Sequence, residues 1–161
     1  MEFGYAMNNL LAISLQAVMT LTEWSERTIR RRLAEGVLQT IRDNFASNKA
    51  LIGFESIQGD VCIPLSTEDM ELIRAADTGD AKAQHDLALL FWAYDKPKSA
   101  LYWLELSAKQ NFADAMHGLG CCYLRGELLQ KDDNIAVMWI AKAASQGHVI
   151  ASAQIKALSA N

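Results

Sequence analysis

A chain of 161 residues, about half of them apolar and about a fifth charged, has the hydrophobic material for one domain or two small ones and is not a disordered segment. Its formal net charge of −4 excludes a protein that coats nucleic acid by bulk attraction, so any DNA contact must be local. Cys62, Cys121 and Cys122 are an odd number, and neighbouring helix residues point in different directions, so no structural disulfide is expected and a reducing, cytoplasmic setting is.

The start, Met-Glu-Phe-Gly, puts no basic residue before the apolar run Leu10 to Leu21, which contains Ser14, Gln16 and Thr20 and is too short to span a bilayer. Neither a signal peptide nor a membrane anchor is expected. The run reads as a helix apolar nearly all round, a pattern that means burial or a subunit interface. Next comes a short helix with Ser25 as N-cap and Gly36 as C-cap, in which Ile29 and Leu33 share one face. At about 100° per residue, Arg27, Arg30 and Arg31 gather on the opposite face, with Arg32 at its flank. Val37 to Arg42, Ala50 to Ile57 and Val61 to Ile63 are short β-like runs, separated by residues 43–49 and by Gln58-Gly59-Asp60.

Helix, turn, arginine-rich helix and small β-ribbon is the layout of a winged helix-turn-helix. The string Ser25-Glu26-Arg27-Thr28-Ile29-Arg30-Arg31-Arg32-Leu33-Ala34-Glu35-Gly36 resembles the recognition helix of the excisionase and MerR-like DNA-binding group, and Ile63-Pro64 before an acidic helix resembles that group's exit from its wing. The resemblance covers roughly residues 10 to 75. It implies that Arg27, Thr28, Arg30 and Arg31 face double-stranded DNA and that Lys49, on the wing, touches the backbone. A bland reading stands beside it: Glu23 to Arg27, Glu26 to Arg30 and Arg31 to Glu35 are i,i+4 pairs that would lace a solvated helix. Residues 1 to 60 hold six basic and seven acidic side chains, which is no electrostatic footprint for DNA. Specific DNA binding by so small a module would call for a homodimer, with Leu10 to Leu21 as its interface.

After Pro64 the periodicity is helical. Ser66 or Thr67 caps a first helix with Glu68, Asp69 and Glu71 in its opening turn. Helices are predicted over Thr67 to Thr78, Ala81 to Trp92, Pro97 to Lys109, Phe112 to Leu124, Asn134 to Ser145 and His148 to Leu158. Within them Lys98 to Gln110 lines up with Asn134 to Gln146 at an offset of 36, setting Ala100 over Ala136, Trp103 over Trp139 and Ala108 over Ala144. The opposing helices repeat as well: Ala83, Leu87 and Phe91 become Ala115, Leu119 and Tyr123 at an offset of 32, and Ala151 and Ile155 continue the series. The second hairpin therefore has a loop four residues longer than the first.

Ala113-Asp114-Ala115, Leu119-Gly120, Tyr123, Gly126, Asp132, Ala136, Trp139 and Ala143-Ala144-Ser145-Gln146-Gly147 together resemble the Sel-one-like repeat, a cousin of the tetratricopeptide repeat, over roughly residues 75 to 158. Leu128 departs from the family, which usually has a second glycine in that loop. The resemblance implies a right-handed stack of antiparallel helix pairs that binds a protein partner and performs no catalysis.

Other chemistry is weakly supported. His85 and His117 occupy equivalent repeat positions and His148 opens a helix, but no thiol or carboxylate cluster at ligand spacing accompanies them, so no metal and no cofactor are expected. Cys121 and Cys122 read as packing residues. No nucleophile with a positioned base and no glycine-rich phosphate loop is legible. Among the aromatics, Trp92 and Tyr102 fall where they can face a partner and are the candidate protein-binding residues. The sequence thus predicts a mainly α, non-enzymatic protein: a winged helix-turn-helix-like domain over residues 1–66, then α-hairpin repeats over 67–161. Its function would be DNA-binding regulation with a protein partner on the repeats; the alternative is a pure interaction adaptor that binds no DNA.

Overall fold

The computed structural model describes residues 11–42 and 50–160. They fall into two compact units divided between Asp77 and Thr78. The chain is mainly helical, with a small three-stranded sheet in the first unit.

The first unit opens with strand β1 (Ala12–Ile13), followed by helices α1 (Leu15–Thr22) and α2 (Glu26–Ala34), strands β2 (Thr40–Arg42) and β3 (Ala50–Gly53), two single-turn 3₁₀ helices, and α3 (Thr67–Asp77). The predicted helix over Leu10 to Leu21 is therefore too long at its start; Leu10 itself lies outside the described residues. Ser14 ends the strand and caps α1, its hydroxyl accepting from the Ala17 N–H at 3.1 Å. The Ser14 cap is itself held by Asp77, whose carboxylate accepts from the Ser14 N–H at 2.7 Å and from its hydroxyl at 2.5 Å. Among the described residues of this segment Leu11, Ile13, Ala17, Val18 and Leu21 are buried, so these side chains are not open to a second copy.

Both ribbon strands are shorter than expected, and their third partner is a different segment. After α2 the chain spends residues 35 to 38 on closing the helix: Gly36 takes φ +74°, and the N–H groups of Val37 and Leu38 both donate to the Arg32 carbonyl. Pairing begins only at Thr40, opposite Ile52, and runs to Arg42 opposite Ala50. The predicted strand over Ala50 to Ile57 stops at Gly53, where Phe54 to Ser56 turn into a 3₁₀ helix. Val61 to Ile63 is not a strand; the third strand is β1, antiparallel to β3 with Ile13 opposite Ile52, giving the order β1-β3-β2.

The second unit contains α4 (Ala81–Ala93), α5 (Pro97–Lys109), α6 (Ala113–Arg125), α7 (Asp133–Ser145) and α8 (Val149–Ser159), each within two residues of its predicted bounds. Local chemistry sets these ends. Asp80 caps α4, Pro97 occupies the first turn of α5, and Asp132 caps α7 by accepting from the Ile135 N–H at 2.9 Å. Gly126 and Gly147 leave α6 and α7 in the left-handed conformation. The helices form the hairpins α4/α5 and α6/α7, with α8 packed on α7. Leu87, Phe91, Trp103 and Met116 are fully buried between them, and burying side chains of this size stabilises a stack by roughly 1.5–3 kcal/mol each. Trp139, the repeat counterpart of Trp103, stays half-buried, with the Lys142 ammonium 4.8 Å from its ring centre. Gly120 is where α6 and α7 touch: a Cβ there would lie 2.7 Å from Ile140 Cγ1.

Candidate functional site

Among the described residues, a surface of each unit has site-like geometry. In the first, α1 and α2 are joined by three residues, with Glu23 in the left-handed conformation and Ser25 capping α2. Ile29 is fully buried beneath α2, which fixes the outward face. Arg27, Arg30 and Arg31 are all exposed on that face, and Thr28 is half-buried with its hydroxyl 3.0 Å from Ser25 Oγ. Arg30 meets Glu26 at 2.6 Å and Arg31 meets Glu35 at 3.8 Å, with all four side chains largely in water, where such pairs contribute about 0–1 kcal/mol each. Among the described residues Arg27 forms no ion pair, so the expected Glu23 to Arg27 bridge is not made. Arg32 is turned away from the other three: its guanidinium lies 3.9 Å from the centre of the Trp24 ring, and 3.8 Å from an Asp60 carboxylate oxygen. Lys49 lies outside the described residues.

In the second unit a cleft of about 280 Å³ opens between α4 and α6, with Leu104 of α5 at its base. From α4 it is lined by His85, Ala88, Leu89 and Trp92, and from α6 by Gly118, Cys121, Cys122 and Arg125. The wall is apolar. Leu89 is 53 % exposed, a large side chain left in water beside the half-buried Trp92. Burial pushes the Cys122 thiol up to about 11, so it is a neutral wall group and no nucleophile. Trp92 thus sits in the cleft as a candidate partner residue, whereas Tyr102 is not part of it and packs edge-on against Trp103 with ring centres 5.1 Å apart. Leu89, Gly118 and Arg125 were not singled out by sequence. Their signal was the repeat register, which places residues 85, 89 and 92 of one helix and 118, 121 and 125 of another at helical spacing.

Next along the stack, His117 and His148 stack with ring centres 4.2 Å apart; His117 Nε2 is 3.0 Å from Gln154 Oε1 and 3.7 Å from Cys121 Sγ. His148 caps α8, Nδ1 accepting from the Ala151 N–H at 3.1 Å, while its Nε2 lies 3.5 Å from an Asp114 oxygen. Burial lowers the basicity of His117, more than its hydrogen bond to Gln154 raises it. Among the described residues no group of three or more His, Cys, Asp or Glu side chains is placed to hold a metal ion, and no helix is long and apolar enough to cross a membrane.

The family model described as Sel1 repeat matches residues 81–112 and 113–148, one hairpin each. A solved structure, the Sel1 repeat protein from Oxalobacter formigenes, is similar to this chain at 30 % identity and a TM-score of 0.51, over 53 % of this chain and 68 % of that one. No curated protein matches the chain.

Proposed function

We propose that this chain, which belongs to the Sel1 repeat family, is a non-enzymatic regulator in which α2 docks on double-stranded DNA while the repeats hold a protein partner. Sel1 repeats indicate protein–protein interaction, and the open apolar cleft of the second unit supports that half of the reading. The DNA half rests on one observation: a short capped helix, entered from α1 through a three-residue turn, buries Ile29 and turns Arg27, Arg30 and Arg31 together into solvent. Such a helix, packed on α1 in a unit that also holds a three-stranded antiparallel sheet, has the proportions of the winged helix-turn-helix that the sequence resembles. Arginine suits the task because its planar fork reads guanine edges and grips phosphates. Glu26 and Glu35 would release Arg30 and Arg31 cheaply, since exposed ion pairs cost little to break. The thiols Cys62, Cys121 and Cys122, none of them in a disulfide among the described residues, support a reducing compartment, the cytoplasm.

The test is fluorescence anisotropy of the full chain on fragmented genomic duplex DNA across a salt series, with sequencing of retained fragments. Site enrichment is expected, with affinity falling steeply as salt rises. Replacing Arg27, Arg30 and Arg31 with alanine should abolish binding, or flatten the dependence of log affinity on log salt by about 3, and leave stability within about 1 kcal/mol. The glutamates facing Arg30 and Arg31 favour a second reading, an adaptor whose N-terminal unit docks only on protein. Absence of DNA binding even at low salt would leave that reading standing and sink the first.

A further inference from the structure

The two intervals of the repeat stack treat one position differently. Between α6 and α8, the Gln154 side chain reaches across to His117, and the His117 ring stacks on His148. Between α4 and α6 the same scaffold recurs: His85 stands where His117 does, and its ring packs on Phe112, the counterpart of His148, with centres 5.3 Å apart. The counterpart of Gln154, however, is Gly118. With no side chain at that position the first interval stays open, and the opening is the 280 Å³ cleft.

Packing does not ask for this glycine. A Cβ at residue 118 would sit 3.4 Å from Leu104 Cδ1, which is ordinary contact, and glycine inside a helix costs stability relative to other residues. Gly120 on the same helix is the opposite case, with a Cβ at 2.7 Å from Ile140 Cγ1. A glycine that destabilises its helix without relieving a clash is explained by what its absent side chain leaves free.

We propose that Gly118 keeps this cleft open for a large apolar side chain from an acidic segment of a partner protein, a carboxylate of that segment pairing with Arg125 at the rim. This deepens the protein-partner half of the function proposed above and rests on it. The wall formed by Ala88, Leu89, Trp92 and Leu104 offers an apolar side chain dry contact on several sides. The sign of the partner's charge follows from how the neighbouring charges are already spent. Lys82 is engaged by Asp86 at 2.6 Å and Lys109 by Glu105 at 3.9 Å. Arg125 is exposed and forms no ion pair among the described residues, and at the Cys122 thiol its charge outweighs that of nearby Glu127, so an incoming carboxylate meets a net positive rim.

The full-length chain is to be titrated with fluorescein-labelled nonapeptides that carry Leu or Phe at the centre, flanked by Glu, Ser or Lys. The Glu-flanked set should bind about tenfold tighter than the Lys-flanked set. Arg125→Glu, a surface change that touches no packing, should invert that order. Gly118→Gln should abolish binding of every set with an unchanged or raised melting temperature, because the amide can bridge to His85 as Gln154 does to His117. Equal binding by the three sets, binding by none, an order that Arg125→Glu leaves unchanged, or binding that survives Gly118→Gln each overturns the proposal. Proteins retained from lysate by the wild-type and Gly118→Gln chains are compared in parallel: retention of the same proteins by both overturns the cleft alone, and retention by neither overturns the partner reading as well.

Discussion

Gly118 and Gly120 stand two residues apart on α6 and should answer one added methyl group in opposite directions. At Gly120 the new Cβ would lie 2.7 Å from Ile140 Cγ1 and 3.1 Å from the Ala136 carbonyl oxygen. Carbon pairs rest at about 3.5–4.0 Å, so α6 and α7 must move apart by several tenths of an ångström. Overpacking of this kind costs about 1–3 kcal/mol, and the gain in helix propensity on replacing glycine offsets about 1 kcal/mol of it. Gly120→Ala should thus lose about 1 kcal/mol net. At Gly118 the nearest neighbours of the new Cβ are the flexible ends of Leu104, Cδ1 and Cδ2, at 3.4 and 3.7 Å, which a shift of about 0.1 Å relieves, so the propensity gain prevails and the variant should be stabilised by about 1 kcal/mol. The two variants then differ by about 2 kcal/mol, or about 1 M in the urea midpoint at an unfolding slope of about 2 kcal/mol/M. Tryptophan fluorescence is the right probe, because Trp92, Trp103 and Trp139 all belong to the second unit and only Trp24 to the first. Shifts of the same sign and size would refute the reasoning, since they would mean that Gly120 does not set the α6–α7 approach.

The second unit should lose stability in mild acid. Burial lowers the basicity of His117 in the folded chain, so the folded state binds fewer protons than the unfolded one; stability is complete above about pH 6.5 and falls as pH drops below it. Melting temperatures at pH 7.5 and 5.5 should diverge for the wild type and converge for His117→Gln; a pH-independent wild type would contradict this. In the first unit, Asp77→Ala strips the acceptor from both the N–H and the hydroxyl of Ser14 and should destabilise by about 1–3 kcal/mol. Urea unfolding followed at Trp24 measures it, and a change under about 0.5 kcal/mol would show that water replaces the carboxylate at no cost.

The helical half was legible because its boundaries are written in local chemistry. Asp80, Pro97, Asp132, Gly126 and Gly147 each start or stop a helix through a bond or dihedral belonging to that residue, and the offsets of 32 and 36 reported the loop lengths directly. The first unit was harder, since its sheet is made by distant pairing. Ala12 and Ile13 sit inside an apolar run that reads as helix, and only residues 52 and 53, some forty positions away, make them a strand. Val61 to Ile63 has the composition of a strand but joins no ladder among the described residues, the Cys62 N–H donating instead to the Leu21 carbonyl of α1. The cleft was partly visible: Trp92 and the equivalence of His85 with His117 were read from sequence. That Gly118 stands opposite His85 depends on which helices face each other across an interval, and a repeat offset does not state that.

One criterion bears on both surfaces: whether the fold needs the residue where it stands. Ile29 and Gly120 are demanded, the first by a fully buried site and the second by a contact that admits no side chain. Arg27, Arg30 and Arg31 lie on the face of α2 that Ile29 leaves to solvent, where alanine would propagate the helix as well and exposed ion pairs return little. Gly118 goes further, because alanine there would be better for the helix and neutral for the packing. Residues that are indifferent or costly to the fold, grouped on an exposed helix face or around an open cleft, are where a sequence spends its freedom on something other than stability. On that measure Gly118 is the sharper marker of the two, since a solvated arginine face has a bland explanation in helix solubility and an interior glycine with room for a side chain has none.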